Sequence, residues 1–433
     1  MPPCSLDFPH DCLLIGALIE QSEENLPVSN ELAPIEQALA QGNAALALEG
    51  AKQALASRPD WPRAHMLAAS AAGQLGQMDE AKEHLVFCRQ VLQQMPDNLD
   101  AHRTIANLHT MIGDFGGALA LLEPLAERHG QNLDLLDALA VNLHQAARFS
   151  EAVSYYKRIL EREPGNLNLY NNICAALLAG GEARAAIAYA ERWLQLVPGN
   201  TEALSFKAVA LEEAGELESA AELMNFETFV QAHQVDTPPG YDTMAAFNDA
   251  LEEAVLTHKD LKTPPEDSPH YHDPDLKITD QILGPSEGPI AALEAVIRRH
   301  IDAYYAGLEE ASDHPFAMAR PKTYDLVAWA AVLDKQGNQD AHIHFDGHLS
   351  GCYYVRIPEE VSADTNGEAG TVAGGFEVGR PPPEFFCKRE HRHKVVKPHE
   401  GLMVLFPSYM YHQTIPFHST ERRICVAFDA MPR

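Results

Sequence analysis

The chain has 433 residues, 46% of them hydrophobic and 22% charged, which allows two or three domains with substantial cores. Its formal net charge of −30 argues against partners that need a basic surface, so we expect no nucleic-acid binding and no binding to anionic membranes. Seven cysteines without a CxxC pair, no apolar run of membrane-spanning length and no basic residue before Lys52 favour a cytoplasmic protein without a secretory signal.

A repeat of 34 residues organises the chain from Pro34 to about Ala232, after a segment at 1–33 that we interpret as a tail or capping segment. Six times, a Gly or Ala is followed five residues later by an Ala, and successive copies lie 34, 37, 34, 34 and 34 residues apart. The pairs are Gly42/Ala47, Gly76/Ala81, Gly113/Ala118, Ala147/Ala152, Gly181/Ala186 and Gly215/Ala220. This period, with small residues where two helices meet, predicts about six tetratricopeptide repeats over 34–232.

Such an array predicts a curved solenoid with a concave groove. Polar and aromatic residues on the first helices of the repeats could grip an extended chain, which would make a protein or peptide substrate the partner. These residues are His102, Asn107, Tyr170, Asn171 and Asn172. The alternatives are that they are ordinary solvated side chains and that the array serves as a scaffold or forms a homodimer.

Proline becomes frequent at 233–288, which we interpret as a connector containing one amphipathic helix at 244–258. A second helical pattern, at 289–311, begins a domain predicted to extend over 289–433, where this helix would support a β-structure. A Gly-, Glu- and Pro-rich segment at 359–390 predicts a lid or substrate-binding loop, because long irregular loops in compact domains tend to be functional.

Ligand-type side chains alternate in the segment DAHIHFDGHLSGCYYVRIP, at 340–358. Since a strand has a period of two, His342 and His344 are expected side by side on one face, before a turn at Asp346-Gly347. The β-branched and aromatic run that follows predicts a returning strand. Of Tyr353 and Tyr354 on that strand, one should face the core and the other the pocket.

The segment GLMVLFPSYMYHQTIPFHSTERRICVAFD, at 401–429, predicts further strands and a hairpin. With a turn centred between Phe417 and His418, His412 and Arg423 would oppose each other on an antiparallel pair and share a face. Two histidines from one strand and a third from a distant one form a facial site with open positions, which suits non-haem Fe(II). Arg423 adds a planar donor suited to a bidentate hydrogen bond with a carboxylate.

These motifs resemble the 2-oxoglutarate/Fe(II)-dependent oxygenases, and in particular the bacterial group that carries tetratricopeptide repeats in front of the oxygenase domain. The shared segments are DHPFAMARP (313–321), HIHFDGHLSGCYYV (342–355), GLMVLFPSYMYH (401–412) and ERRICVAFD (421–429). The resemblance implies a double-stranded β-helix (a jelly-roll, cupin-like fold) and oxygenase activity. Hydroxylation, with succinate and CO₂ as coproducts, is the expected reaction.

For the site, the resemblance implies that His342 and His412 bind Fe(II), that Arg423 anchors 2-oxoglutarate and that O₂ takes a remaining position. His344 is the expected third ligand, because this group commonly has His where most 2-oxoglutarate oxygenases have Asp or Glu. Asp346 is the alternative carboxylate ligand.

Two further comparisons with the group concern the pocket. Tyr354 or Tyr353 would contribute to cosubstrate binding. The chain has His348 where the group usually has Trp.

Other functions remain open from the sequence. A three-histidine iron site resembles that of thiol dioxygenases, which do not use 2-oxoglutarate, although Arg423 argues against that function. A non-catalytic repeat scaffold with an inactive β-helix, or a cupin-like binder, would leave Arg423 without a role. His391 and His393 form a second metal-like pair, but the sequence suggests no third ligand, so we interpret them as loop histidines.

Overall fold

The computed structural model describes residues 30–264, 276–308, 313–334, 336–363, 372–385 and 387–433. Most of the predicted tail at 1–33 therefore lies outside the described residues, which begin with a 3-10 turn at Asn30–Leu32. The chain divides into two compact units, one ending at Gly180 and the other beginning at Gly181.

In the described part of the first unit, residues 30–180, nine α-helices form four helix pairs and the first member of a fifth. Their bounds are α1 Ala33–Ala40, α2 Ala44–Ser57, α3 Pro62–Gln74, α4 Met78–Leu92, α5 Leu99–Met111, α6 Phe115–Arg128, α7 Leu133–Gln145, α8 Phe149–Leu160 and α9 Leu167–Ala179. The second unit continues the pattern with α10 Ala183–Leu196, α11 Thr201–Ala214 and α12 Leu217–Met224. The predicted helical repeat region is confirmed.

The two small residues of each repeat have different roles. The first lies in the turn between paired helices with a positive φ, from 58° at Ala147 to 78° at Gly215, a conformation that glycine adopts without a Cβ clash. The second is an alanine on the following helix that has no exposed surface in all six repeats, because the paired helix packs directly on it. Each repeat therefore needs one residue that can adopt a positive φ and one small residue where the paired helices touch.

Two of the predicted groove residues are instead structural. Tyr170 is buried and its hydroxyl donates to the Pro164 carbonyl, 3.2 Å away. His102 is buried and its Nδ1 donates to the Asn98 carbonyl at 2.8 Å. Both side chains thus bind the loop before their own helix. The half-buried Asn107, Asn171 and Asn172 remain candidates for ligand contact.

The division at Gly180/Gly181 falls inside the predicted 34–232 repeat region rather than at its end. The reason is the shared core of the second unit: Leu204, Leu211 and Leu223 of α11 and α12 pack in one cluster with strand residues such as Leu405 and Phe428. The last helices of the array are thereby part of the same hydrophobic core as the β-domain.

Ten strands among the described residues of the second unit form two antiparallel sheets. Their bounds are β1 Gln231–Gln234, β2 Leu276–Ile278, β3 Tyr324–Leu333, β4 Gln336–His342, β5 Leu349–Arg356, β6 Phe376–Val378, β7 Lys394–Val396, β8 Leu402–Pro407, β9 His412–His418 and β10 Arg423–Pro432. The larger sheet has the order β1-β8-β5-β10-β3-β2 and the smaller the order β4-β9-β6-β7. This is the predicted double-stranded β-helix.

Further helices connect and support the sheets. They are α13 Phe226–Phe229, α14 Met244–Leu256, α15 Pro289–Gly307, α16 Pro315–Met318 and α17 Glu359–Ala363, with a 3-10 turn at Pro383–Phe385. The predicted connector helix, α14, and the predicted supporting helix, α15, bury Phe247, Leu251, Ile297 and Ile301 in the core of the second unit. Within the described ranges, none of the helices has the length and apolar character needed to cross a bilayer.

Two predictions about the strands were wrong. His412 and Arg423 do not oppose each other in a hairpin, because β9 pairs with β4 and β6 whereas β10 pairs with β3 and β5. The chain crosses from one sheet to the other between His418 and Arg423. The predicted irregular loop at 359–390 contains strand β6, whose Val378 pairs with His412.

Candidate metal centre

Three histidines converge where β4 and β9 pair. His342, the last residue of β4, is directly opposite His412, the first residue of β9. His344 lies two residues beyond the end of β4, where its backbone N–H binds the Ser408 carbonyl at 3.2 Å. The potential ligand atoms of the three imidazoles all lie within 4.8 Å of one another, and His342 and His412 are buried.

The hydrogen bonds of the rings determine which nitrogen faces the centre. Nδ1 of His342 is 2.7 Å from the Asp340 carbonyl, and Nδ1 of His412 is 3.1 Å from the Met410 carbonyl. A carbonyl only accepts, so each Nδ1 carries the proton and each Nε2 carries a lone pair. The Gln339 amide nitrogen, 3.2 Å from Nε2 of His342, is a donor and agrees with this tautomer.

His344 follows the same rule with a carboxylate as its acceptor. Its Nδ1 is 2.6 Å from Oδ1 of Asp429, so its lone pair is also on Nε2. That atom is 3.3 Å from Nε2 of His342. Two lone pairs at this distance repel each other unless a positive centre lies between them, and three converging imidazole nitrogens suit a divalent metal ion.

Asp429, which the sequence analysis did not single out, lies on β10 beneath His344. Its Oδ1 also accepts from the Ser350 hydroxyl at 2.6 Å, and the Ser350 and Ser408 hydroxyls are 2.8 Å apart. Asp429 and both serines are buried, so this small network fixes the orientation of the His344 ring. The separation of 85 residues between His344 and Asp429 hides this partnership from local sequence patterns.

We predict that Asp429→Ala weakens metal binding by about 10- to 100-fold, because His344 loses the acceptor that holds its tautomer and ring orientation. Asp429→Asn retains an oxygen acceptor and should lose less. The measurement is Fe(II) or Mn(II) affinity by anaerobic titration of the full-length protein. Equal affinities for wild type and Asp429→Ala would contradict a positioning role for this carboxylate.

Asp346, the alternative ligand, is exposed in the turn after His344 and lies outside the group of converging donors found in the described chain. The turn is held closely: a Cβ added at Gly347 would lie 2.6 Å from Oγ of Ser408. The Thr201 hydroxyl on α11 donates to the Gly347 carbonyl at 3.0 Å. These contacts position His344, and not Asp346, toward the pocket.

Arg423 lies in the same pocket but on the other sheet. It is 5% exposed, its Nε is buried without a hydrogen-bond partner, and within the described ranges no carboxylate pairs with it. Its guanidinium lies over the Tyr354 ring, 5.4 Å from the ring centre. The nearby Glu421 is not its partner, since the Glu421 carboxylate accepts from the backbone N–H of Glu359 at 2.7 Å.

Tyr354 also brings an unsatisfied polar group to the pocket. Its side chain is buried, and its hydroxyl lacks a partner of normal hydrogen-bond geometry, with only a weak interaction with the Cys352 thiol. Burial raises the pKa of Tyr354 above its ordinary value, so the hydroxyl remains a donor. A buried cation and a buried hydroxyl without partners indicate a binding site for an anionic group.

Tyr353 and His348, two other residues from the sequence motif, lie away from this pocket. The Tyr353 hydroxyl donates to Oδ1 of Asn248 at 2.7 Å, so its predicted contribution to cosubstrate binding was wrong. His348 stacks on Phe316, with ring centres 4.3 Å apart, and its two nitrogens contact the Tyr305 hydroxyl and the Phe316 carbonyl. Adjacent strand residues face opposite sides, which explains why Tyr354 faces the pocket and Tyr353 the helix.

Burial lowers the pKa of His348 from 6.5 to about 4, which predicts loss of stability in acid. Between pH 6.5 and about 4 the unfolded chain binds a proton that the folded chain does not, so this residue's contribution falls by about 3 kcal/mol as the pH decreases. His348→Gln keeps a donor and an acceptor without titrating. We therefore expect a smaller decrease in urea midpoint from pH 7.5 to 5 in this variant; an equal decrease would contradict the assignment.

The remaining pocket wall is mainly apolar. It includes Trp329, Leu333, Phe376, Phe406 and Ala427, and the ring centres of Phe406 and His412 are 4.6 Å apart. Neutral polar side chains, Gln339, Gln413 and Thr414, complete the lining near the histidines. Such a wall excludes water around a metal centre while leaving charge recognition to Arg423.

A comparison with known protein families covers the part of the chain that carries this site. A family model described as "Putative 2OG-Fe(II) oxygenase" matches residues 327–429. No curated protein matches the chain. The matched range contains the three histidines, Asp429, Arg423 and Tyr354.

Similar solved structures fall into two groups. A Pseudomonas putida prolyl-4-hydroxylase is 13% identical, with 48% of this chain and 96% of that chain covered and a TM-score of 0.32. MamA (MSR-1 C2) is 21% identical, with 36% of this chain and 87% of that chain covered and a TM-score of 0.30. The TPR protein YrrB is 18% identical, with 41% of this chain and 90% of that chain covered and a TM-score of 0.31. Residues 327–429 therefore match the model of a putative 2OG-Fe(II) oxygenase domain, and helical repeats precede this domain in the same chain.

Proposed function

We propose that this protein is an Fe(II)- and 2-oxoglutarate-dependent oxygenase that hydroxylates a protein or peptide. The observation that carries this proposal is the convergence of three Nε2 lone pairs beside a buried guanidinium that has no carboxylate partner among the described residues. The first arrangement fits a metal cation, and the second fits a carboxylate of the cosubstrate.

His342, His344 and His412 would hold the iron. Their backbone and carboxylate acceptors fix the tautomer and orientation of the three rings, so the ligands need little rearrangement on binding. Bound there, Fe(II) supplies the redox chemistry, in which O₂ oxidises the substrate while 2-oxoglutarate is decarboxylated to succinate and CO₂.

Arg423 and the Tyr354 hydroxyl would bind the distal carboxylate of 2-oxoglutarate. A buried guanidinium is destabilising without an anion, so the cosubstrate supplies the charge that the described protein does not. The planar fork can form two parallel hydrogen bonds with a carboxylate, and the hydroxyl can add a third. The cosubstrate is thereby oriented with its keto acid end toward the histidines.

The repeat region supports a protein or peptide substrate, because helical repeat arrays present extended surfaces on which chains bind. In the first unit, Asn107 of α5 and Asn171 and Asn172 of α9 are half-buried amides that can pair with a peptide backbone. Homodimerisation through the array and a cytoplasmic location remain predictions from the sequence.

One observation favours a second candidate function. The donor set consists of three imidazoles rather than two imidazoles and a carboxylate, as in three-histidine iron dioxygenases that do not use 2-oxoglutarate. The unpaired Arg423 and Tyr354 favour the 2-oxoglutarate enzyme instead, since they would otherwise have no ligand.

Succinate formation distinguishes these functions. Full-length protein, loaded with Fe(II) without oxygen, is supplied with 2-oxoglutarate, ascorbate and air, with and without peptides captured from a lysate by the same protein. We expect succinate release that the substrate stimulates, and a mass increase of one oxygen atom in the peptide. Oxygen incorporation without succinate would support the three-histidine dioxygenase, and metal-free protein after Fe(II) loading would support a scaffold.

A further inference from the structure

A second group of metal-ligand side chains lies outside the oxygenase pocket. Glu213 of α11 meets Cys387 and His391 of the loop before β7, and the potential ligand atoms of the three side chains lie within 4.8 Å of one another. His391 is buried, and Glu213 and Cys387 are half-buried. His391, predicted as a loop histidine without further ligands, therefore has two companions, Cys387 from the same loop and Glu213 from α11.

The backbone of the same loop holds the Glu213 carboxylate in place. Oε2 accepts from the N–H of Lys388 at 3.0 Å, and Oε1 accepts from the N–H of Arg389 at 3.1 Å. An ionised carboxylate has about four lone-pair positions, so two remain after these bonds. They face Nε2 of His391, 2.9 Å from Oε1, and the Cys387 thiol, which also hydrogen-bonds to this carboxylate.

Nε2 of His391 and the sulfur of Cys387 face the two remaining lone-pair positions of the carboxylate. Each of these two atoms can bind a metal once it no longer carries a proton. We propose that Glu213, Cys387 and His391 form a second metal site that binds Zn²⁺ through one oxygen, one sulfur and one nitrogen, with water as the fourth ligand. This mixture of donors suits zinc in tetrahedral coordination. Zinc replaces the protons between the carboxylate and its two neighbours.

The charges and protons of this site balance. On binding, the Cys387 thiol releases one proton to solvent and becomes a thiolate. The neutral His391 ring moves its proton from Nε2, which faces Glu213 in the metal-free protein, to Nδ1, so that Nε2 can bind the metal. One thiolate, one carboxylate and Zn²⁺ then have zero net charge, which suits a site that is partly removed from water. The N–H groups of Lys388 and Arg389 supply the outer hydrogen bonds that orient a ligating carboxylate.

The site would fix the loop beside the oxygenase pocket. Phe385, two residues before Cys387, lies between Phe206 of α11 and Tyr411, with ring centres 5.5 Å and 5.7 Å away. Tyr411 precedes the candidate iron ligand His412, and its carbonyl accepts from the N–H of Gly379 at 2.7 Å. Zinc would therefore secure α11 and the loop to the wall that carries His412.

The test uses full-length, untagged protein and zinc or cobalt alone as the probe. A His342→Ala/His412→Ala background removes the candidate iron site, so that retained metal reports the second site. We expect about one zinc per chain in this background, with affinity at least tenfold lower after Cys387→Ser. Co²⁺ should give a thiolate-to-metal charge-transfer band that Cys387→Ser removes and that His393→Asn, a control in the same loop, retains.

Glu213→Gln tests whether misfolding is the cause of metal loss, since its amide oxygen can still accept from one of the two loop N–H groups. It should lower zinc affinity while leaving the far-ultraviolet circular dichroism spectrum unchanged. Absence of the cobalt–thiolate band in the unsubstituted protein, or equal zinc affinity with and without Cys387, would overturn the proposal. Glu213 would then be only a hydrogen-bonded anchor for the loop. Neither result depends on oxygenase activity.

Discussion

His412→Ala is expected to reduce Fe(II) affinity by at least about 100-fold and to abolish succinate formation. His412 supplies one of three Nε2 atoms, and its ring is held between the Met410 carbonyl and the aromatic wall of Phe376 and Phe406. No other described residue of the converging group can replace it from β9. Metal content after anaerobic loading gives the direct measurement.

A matched control separates metal loss from general damage to strand β9. His418→Ala removes an imidazole from the other, exposed end of the same strand. This variant should keep wild-type iron affinity and activity. Iron binding by His412→Ala at wild-type affinity would remove His412 from the site, whereas equal loss in both variants would point to disruption of the strand.

Arg423→Ala is expected to leave iron binding intact and to weaken 2-oxoglutarate binding by about 100-fold or more. Losing one partner of a buried hydrogen-bonded charge pair costs about 2–5 kcal/mol of binding free energy. Arg423→Lys keeps the charge but loses the planar fork, so we expect an intermediate loss. The measurements are KM for 2-oxoglutarate and its dissociation constant from titration of the iron-loaded protein.

The adjacent Arg422 provides the control for this substitution. Its guanidinium pairs with Asp334 at 2.8 Å on the surface side of β10, so Arg422→Ala should not change KM for 2-oxoglutarate. A second readout needs no turnover: 2-oxoglutarate should raise the melting temperature of wild type and Arg422→Ala but not of Arg423→Ala. An unchanged KM in Arg423→Ala would remove Arg423 from the binding of 2-oxoglutarate.

The sequence alone was sufficient for the repeat region, because its signal is local and recurs six times. Each copy needs a residue with positive φ between two helices and a small residue under the helix contact, and both requirements leave a visible Gly and Ala at constant spacing. The pairing of His342 with His344 was similarly accessible, since residues two apart on an extended chain face the same side.

Tertiary pairing decided the features that the sequence analysis missed or placed wrongly. Strand β1, Gln231–Gln234, is polar and short, and it becomes a strand because β8 offers an open sheet edge. Strand β6 has only three residues within a segment that was predicted as a lid, yet it lies beside His412. Neither strand has a local pattern strong enough to outweigh its Gly- and Pro-containing surroundings.

What the sequence by itself determined is the helical repeat region, the β-domain and the set of histidines and arginine from which a metal and carboxylate site could be inferred. Only the tertiary structure decided that His412 and Arg423 approach one pocket from different sheets, that Tyr354 rather than Tyr353 faces it, and that Asp429 orients His344. The physical reason is that sequence periodicity determines only which residues share a face with their neighbours in sequence. The contacts of His344 with Asp429, 85 residues apart, and of Glu213 with His391, 178 residues apart, arise only when sheets and helices pack around a common core.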